Sequence, residues 1–364
     1  MDYKDTTITY TLHAYMIPPT NLDDIYEEMT GVDWSSLSID ADYYTDTRVS
    51  ATLTTVDGNY IKGSYIRITV EDENGNEDEL GTFAVDNDSG QRINGAYIQT
   101  LDLISQLHAL SLDFCPDNLV IGSGARLLDA VRTTLQEGGK SEQDSVLTEA
   151  NDYRFSSTQV LPPGASRLAR LYELCSISDN RLEVDGHGRV RLDKYVSPDS
   201  KTPRLRLAQN DERGVIKNGI SRQSHWAEIP SKYIVAHDYT TSDDGKTSEH
   251  HMFAVANNLA AAARGFIVAK YETVSELSPR TTERLAAIAR QRLAEQANER
   301  NEWTISTKYI PGLWEGDVIE LDLDDELDEY AGIRKCLVKS ITIDGPYLDM
   351  ELVLKETSGG DYGE

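Results

Sequence analysis

Between Ile8 and Asp102 apolar and polar residues alternate in short runs, and turn residues separate the runs. The runs are 7–15 (TITYTLHAY), 37–44 (LSIDADYY), 48–55 (RVSATLTT), 65–71 (YIRITVE), 80–86 (LGTFAVD) and 91–101 (QRINGAYIQTL). A period of two places successive side chains on opposite faces of a strand, so each run can bury one face. Many short strands at regular spacing hide those faces in a sandwich or a barrel. Asp72-Glu73-Asn74-Gly75-Asn76 reads as a turn. The run 91–101 reads as the closing strand, with a helix starting at about Asp102 and reaching Ser111. Residues 18–35 (PPTNLDDIYEEMTGVDWS) break the pattern as a loop or short helix.

The middle of the chain changes period. Gly122-Ser123-Gly124 precedes an amphipathic helix over 127–135, but the spacing is not that of a phosphate-binding loop and no Lys-Ser/Thr follows. Residues 141–151 are polar and read as a loop. Pro162-Pro163-Gly164 stops the chain, Ser166 is placed to cap a helix, and Leu168, Leu171, Tyr172 and Cys175 recur at helical spacing. After Asn180 the period returns to two: Leu182 and Val184, then Asp185-Gly186-His187-Gly188, then Val190 and Leu192, a hairpin with an Asp-Gly turn signal.

Strand patterns resume at 205–207, 215–221 and 232–239 (KYIVAHDY). Asp243-Asp244-Gly245 turns the last of these back through 250–257 (HHMFAVAN), and 267–274 is a further strand. The clearest helix is 282–300, with Leu285, Ile288, Ala289, Leu293 and Ala297 on one face. Then come 302–309, a strand entered through Trp314-Glu315-Gly316-Asp317, and a hairpin of 335–344 and 347–355 around Gly345-Pro346. The tail 356–364 is acidic and Gly-rich, and is expected to be mobile.

Composition narrows function. The 364 residues hold 35 Lys and Arg against 62 Asp and Glu, a formal net charge of −27. Such a surface repels nucleic acid and anionic lipid. From charge alone it serves solubility first, and it is compatible with a lumen through which DNA slides without sticking. No run is long and apolar enough to span a bilayer, and the first residues lack a secretory pattern. Cys115, Cys175 and Cys336 are too dispersed for a zinc site, and fit buried thiols assembled in a reducing compartment. GxSxG and HExxH are absent. His250-His251 lies on a strand, where neighbours point to opposite faces and cannot easily share a metal. Asp322, Asp324, Asp325, Glu326, Asp328 and Glu329 form an acidic loop without the glycine and terminal glutamate of an EF-hand. It reads as a solvated loop, or as a loop facing a lumen or a partner. No catalytic residue, metal or cofactor is assigned.

Several of these stretches together resemble the phage tail hub family, the ring at the tip of phage tails. They are Leu80-Gly81-Thr82-Phe83-Ala84-Val85; Pro162-Pro163-Gly164 with its helix, Asp185-x-x-Gly188 and Tyr195; Ile229-Pro230-Ser231-Lys232-Tyr233-Ile234-Val235; and the late helix followed by Trp303 and Gly316-Asp317-Val318-Ile319. Ser231 departs from the family, which often has Asn there, and 18–35 has no assigned counterpart. The resemblance implies a mixed α+β, mainly β chain with two tail-tube-like β-barrels separated by an α/β insertion: 1–101, 102–200, and 201–355 with its helix near 282–300. It implies a non-enzymatic structural hub, a homotrimer that adapts a sixfold tube to a threefold tip and leaves a channel for DNA. Its partners would be a tail-tube or distal tail protein, a tape-measure protein and receptor-binding or fibre proteins. DNA would be met only in transit, in a virion assembled in the bacterial cytoplasm. The alternatives are a cell-surface β-sandwich module that binds carbohydrate or protein, and a hydrolase with unrecognised carboxylates.

Overall fold

A computed structural model describes residues 9–138, 145–147, 153–177, 180–211, 215–224, 229–243, 246–263, 265–274, 280–297, 301–324 and 331–357. The chain is mainly β, with 52% strand and 15% helix and a curled half-barrel sheet. Two compact units emerge: residues 1–221 with 303–364, and residues 222–302.

In the first unit, β1 (Tyr10–Ile17), β2 (Glu27–Glu28), β3 (Val32–Asp42), β4 (Val49–Val56), β5 (Tyr65–Asp72), β6 (Glu77–Ile93) and β7 (Ala96–Ile104) realise the alternating runs. β3 begins inside the stretch expected to be loop or helix, because Val32 and Trp34 already alternate toward the core. The run 91–101 is not one strand. Asn94 and Gly95 both take positive φ, 51° and 95°, and turn β6 back into β7. Asn-Gly is the dipeptide that accepts such a turn at low cost, and the signal lay inside the run. β7 then continues to Ile104, so the first helix, α1 (Gln106–Leu112), starts later than Asp102 and is capped by Ser105.

The insertion follows: β8 (Leu119–Ile121), α2 (Leu127–Glu137), β9 (Ser145–Leu147), β10 (Gln159–Leu161), α3 (Arg167–Ile177), β11 (Asn180–Val184) and β12 (Val190–Lys194). β9 falls in the stretch read as a loop; it pairs in parallel with β12. The Ser166 hydroxyl accepts from the Ala169 N–H at 3.1 Å, as its spacing predicts. Strand–turn–helix recurs here: β8 and β10 pair antiparallel, and each leads through a positive-φ glycine, Gly124 or Gly164, into its helix. These elements bury their own core, including Leu107, Val131, Phe155, Leu171 and Leu182.

β13 (Arg206–Ala208), β14 (Ile216–Ser224), β18 (Asn301–Thr307), β19 (Val318–Leu323), β20 (Gly332–Asp344) and β21 (Asp349–Glu356) rejoin the sheet. Its path is β14-β18-β21-β20-β3-β4-β7-β6-β5-β1-β2, with β19 and β13 branching from β20. The β20–β3 ladder, Ser340↔Asp42 to Asp344↔Ser38, stitches the late strands onto the early ones. One core then runs under both, from Leu12 and Phe83 to Trp303 and Leu354. Tyr309 and the Gly312 N–H both donate to Asp78 on β6, at 2.5 and 2.6 Å.

The second unit holds β15 (Lys232–Asp243), β16 (Lys246–Asn257), the short α4 (Leu259–Ala262), β17 (Ala269–Thr273) and α5 (Thr282–Ala297). The hairpin and the late helix match the pattern. Leu285, Ala289 and Leu293 on α5 pack on Tyr233, Val235, Ala254 and Ala256.

Candidate functional site: the seam under the insertion and the acidic loop

The insertion meets the sheet through polar groups. Its hairpin tip rests on β6, where a Cβ on Gly186 would sit 2.7 Å from Glu79 Cβ and one on Gly188 would sit 3.0 Å from Thr82 Cβ. The Asp185-x-x-Gly188 turn therefore has bare backbone where contact is closest. Thr82 Oγ1 donates to the Gly186 carbonyl at 2.9 Å and accepts from Arg67 Nε at 2.9 Å, and His187 pairs with Glu79. Arg67 also donates to the Leu22 carbonyl at 2.6 Å, and Arg189 pairs with Asp23. Residues 18–35 thus help hold the seam.

At the other end, Tyr43 lies buried between two guanidiniums. Arg181 from β11 is 3.4 Å from the ring centroid and Arg48 is 5.4 Å. Gly316 closes on the same ring, where a Cβ would sit 2.9 Å away. Tyr172 donates to the Asp46 carbonyl at 2.8 Å, and Lys201 Nζ donates to the Gly316 carbonyl at 2.8 Å. Glu315 shares this environment: burial pushes its carboxyl up to about 7, against the opposing pull of Arg48 and Arg181. Burial, and then Arg48, lowers Arg181, and burial lowers Lys201. Between the two clamps is a cavity of about 300 Å³ lined by Thr82, Ser105, Glu183, Lys201, Trp314 and Glu315 among others. It mixes both signs of charge, so its chemistry is that of a polar joint.

Two residues of the expected acidic loop, Asp322 and Asp324, are among the described residues. Asp322 Oδ2 accepts from Arg206 Nη2 at 2.6 Å, and Asp324 Oδ2 accepts from Asn210 Nδ2 at 2.7 Å, which ties the end of β19 to β13 and the turn after it. Asp325, Glu326, Asp328 and Glu329 lie outside the described residues. His250 bonds Thr241 at 2.8 Å and stacks on Tyr239, while His251 pairs with Asp238, so the neighbours take opposite faces. Among the described residues no group of three or more His, Cys, Asp or Glu is placed to hold a metal ion, and no helix is long and apolar enough to cross a membrane. All three cysteines are buried thiols outside any disulfide.

Known structures share this architecture. A tail protein from Neisseria meningitidis MC58 superposes with a TM-score of 0.68 at 15% identity, over 95% of this chain and 96% of its own. The fold is that of a phage tail protein. The 43 kDa tail protein of prophage MuSo2 from Shewanella oneidensis gives 0.63 at 14% identity, over 95% and 98%. An E. coli component of the type VI secretion system, described as structurally similar to the T4 bacteriophage tail proteins gp27 and gp5, gives 0.51 at 11% identity, over 92% and 76%. No family model matches the sequence, and no curated protein matches it. In this tail-protein fold the clamp residues Tyr43, Arg48, Arg181 and Glu315 carry little sequence signal. Each is a single polar residue whose burial depends on partners more than a hundred residues away in the chain.

Proposed function

We propose that this chain is the structural hub of a phage-type tail tip, a homotrimeric ring that adapts a sixfold tube to a threefold tip and leaves a channel for DNA. The observation that carries the reading is the full-length match to tail proteins, 95% of this chain against 96% and 98% of theirs. Two tail-tube-like barrels, at 1–101 and 201–355, flank the α/β insertion at 102–200. Three copies then present six barrels, which matches threefold to sixfold symmetry. The −27 charge supports the channel, because DNA in transit meets a surface that does not retain it. Asp322, Asp324, Asp325, Glu326, Asp328 and Glu329 are its candidate lumen- or partner-facing loop. The role is non-enzymatic and needs no cofactor. The partners are a tail-tube or distal tail protein, a tape-measure protein and receptor-binding or fibre proteins, within the tail tip of a virion assembled in the host cytoplasm.

Electron microscopy of the purified protein tests this directly. Threefold rings with an open centre, at three times the 40.6 kDa chain mass, are expected. A monomer at every concentration would instead favour a surface-binding β module.

A further inference from the structure

The charge of this chain is not spread evenly. Residues 222–302 carry ten Lys and Arg against eleven Asp and Glu, so 26 of the 27 excess negative charges lie in residues 1–221 and 303–364. The nearly neutral unit also carries an uncovered apolar face. Its sheet runs β16-β15-β17, and α5 packs against one face of it. On the other face, Ile234 lies between Val255 and Tyr271, and one pleat further Phe253 lies beside Ala236. Phe253 is 57% exposed, Tyr271 61% and Val255 39%. β16, twelve residues long, is an edge strand of this sheet. Three adjacent exposed apolar side chains on one sheet face mark a contact surface, and a long open edge beside them is a template for pairing.

We propose that this face, built on Ile234, Phe253, Val255 and Tyr271, is where one copy of the chain meets the next. Charge selects the occupant. Two copies approaching through their acidic parts bring like charge together within the ~8 Å screening length of physiological salt. The 222–302 unit is the part whose net charge does not oppose a second copy. Its face has the make-up of an interface centre, aromatic and free of acidic side chains in the two rows named, with His251 and Asp238 paired in the next row. A standard interface buries about 800 Å² per partner, and a buried Phe or Tyr contributes ~150–250 Å² of that. The inference deepens the ring reading above by naming a surface for it, and takes only the stoichiometry from that reading.

The test uses the full chain. Sedimentation across a concentration series measures association of the native protein, of Phe253→Gln/Tyr271→Gln, and of Val120→Gln/Val160→Gln as a control pair of exposed valines on β8 and β10. The first pair is expected to weaken association at least tenfold with unchanged circular dichroism and melting temperature; the control pair is expected to leave it unchanged. Phe253→Cys gives a second readout that does not depend on weakening the contact. The native thiols are buried, so maleimide reports on the new one, and its labelling should slow at least fivefold above the association midpoint. Association that survives the double substitution, with the new thiol equally reactive above and below the midpoint, overturns the inference and leaves the ring standing on another surface. A native chain that stays monomeric overturns both.

Discussion

Arg181 stacks its guanidinium 3.4 Å from the ring centroid of Tyr43, and that contact joins the insertion to the end of β3. Arg48 approaches the same ring, and Nη2 of Arg181 makes no hydrogen bond among the described residues. The ring thus lies against two buried cations, and Glu183 Oε1 stands 3.1 Å from Nε of Arg181. A desolvated cation–π contact is worth about 2 kcal/mol. Tyr43→Leu is expected to cost about 3 kcal/mol in urea unfolding, through the lost ring contacts and the volume left beside Gly316. Tyr43→Phe keeps the ring and should cost less than about 1 kcal/mol; equal losses for the two variants would rule out the ring as the cause.

Trp303 donates Nε1–H to Glu356 Oε1 at 3.0 Å, and both residues are buried. Arg334 stands 3.9 Å from the same carboxylate. Trp303→Phe removes the donor and leaves a buried carboxylate short of a partner, a loss of about 2–3 kcal/mol. Glu356→Gln in the Trp303→Phe background should recover part of it. A double-mutant cycle gives the coupling, expected at about 1–2 kcal/mol, and additive losses would contradict the pairing.

Gly81 takes φ of +142°, and a Cβ there would lie 2.6 Å from the Phe83 ring, itself fully buried. The β5–β6 register also shifts beside it, between Ile68 and Thr69. Gly81→Ala therefore meets both backbone strain and an overpacked ring, and is expected to destabilise by about 2–4 kcal/mol. Gly95→Ala, at a positive φ but with open space around it, should cost only about 1 kcal/mol. Comparing the two melting curves separates packing from backbone strain.

Those glycines also show what the sequence could and could not reveal. Gly81-x-Phe83 and the Asp185-x-x-Gly188 turn are visible in one dimension because local backbone demands fix them. The late helix and the 232–257 hairpin are legible for the same reason, since one periodicity covers each whole element. Asn94-Gly95 was equally local, yet it sat inside an apolar alternation that reads as one strand, and the period hid the turn. The β3–β20 ladder joins residues about three hundred positions apart, and no periodicity encodes which edge meets which. The clamp around Tyr43 is invisible for that reason too: Arg48, Arg181 and Glu315 look like surface residues until the insertion is set on the sheet.

Cys175 and Cys336 have their thiols pushed up by burial, Cys175 to about 12, and Cys115 is also buried. A thiol held protonated and out of contact with solvent does not react. Native protein at pH 8 is expected to give no fast reaction with a thiol reagent, and three equivalents after denaturation. A fast-reacting thiol in the folded chain would mean that one of these cores opens.

Glu315 sets the pH response of the seam. Its folded carboxyl is raised from an ordinary 4.5 to about 7, so the folded state holds this proton more tightly than the unfolded chain does. The penalty for ionising it is absent below about pH 4.5, develops between the two values, and is complete above pH 7. Stability from this group therefore falls as pH rises through that window, by up to about 3 kcal/mol. Arg48 and Arg181 attract the ionised form and Glu183 opposes it; the value of about 7 is the balance of these with burial. Glu315→Gln stays neutral throughout. Relative to the native chain it should be nearly neutral at pH 4.5 and progressively more stable toward pH 7.5, as read by unfolding midpoints across the range. A constant difference between the two proteins at every pH would show that this carboxylate is not the titrating group.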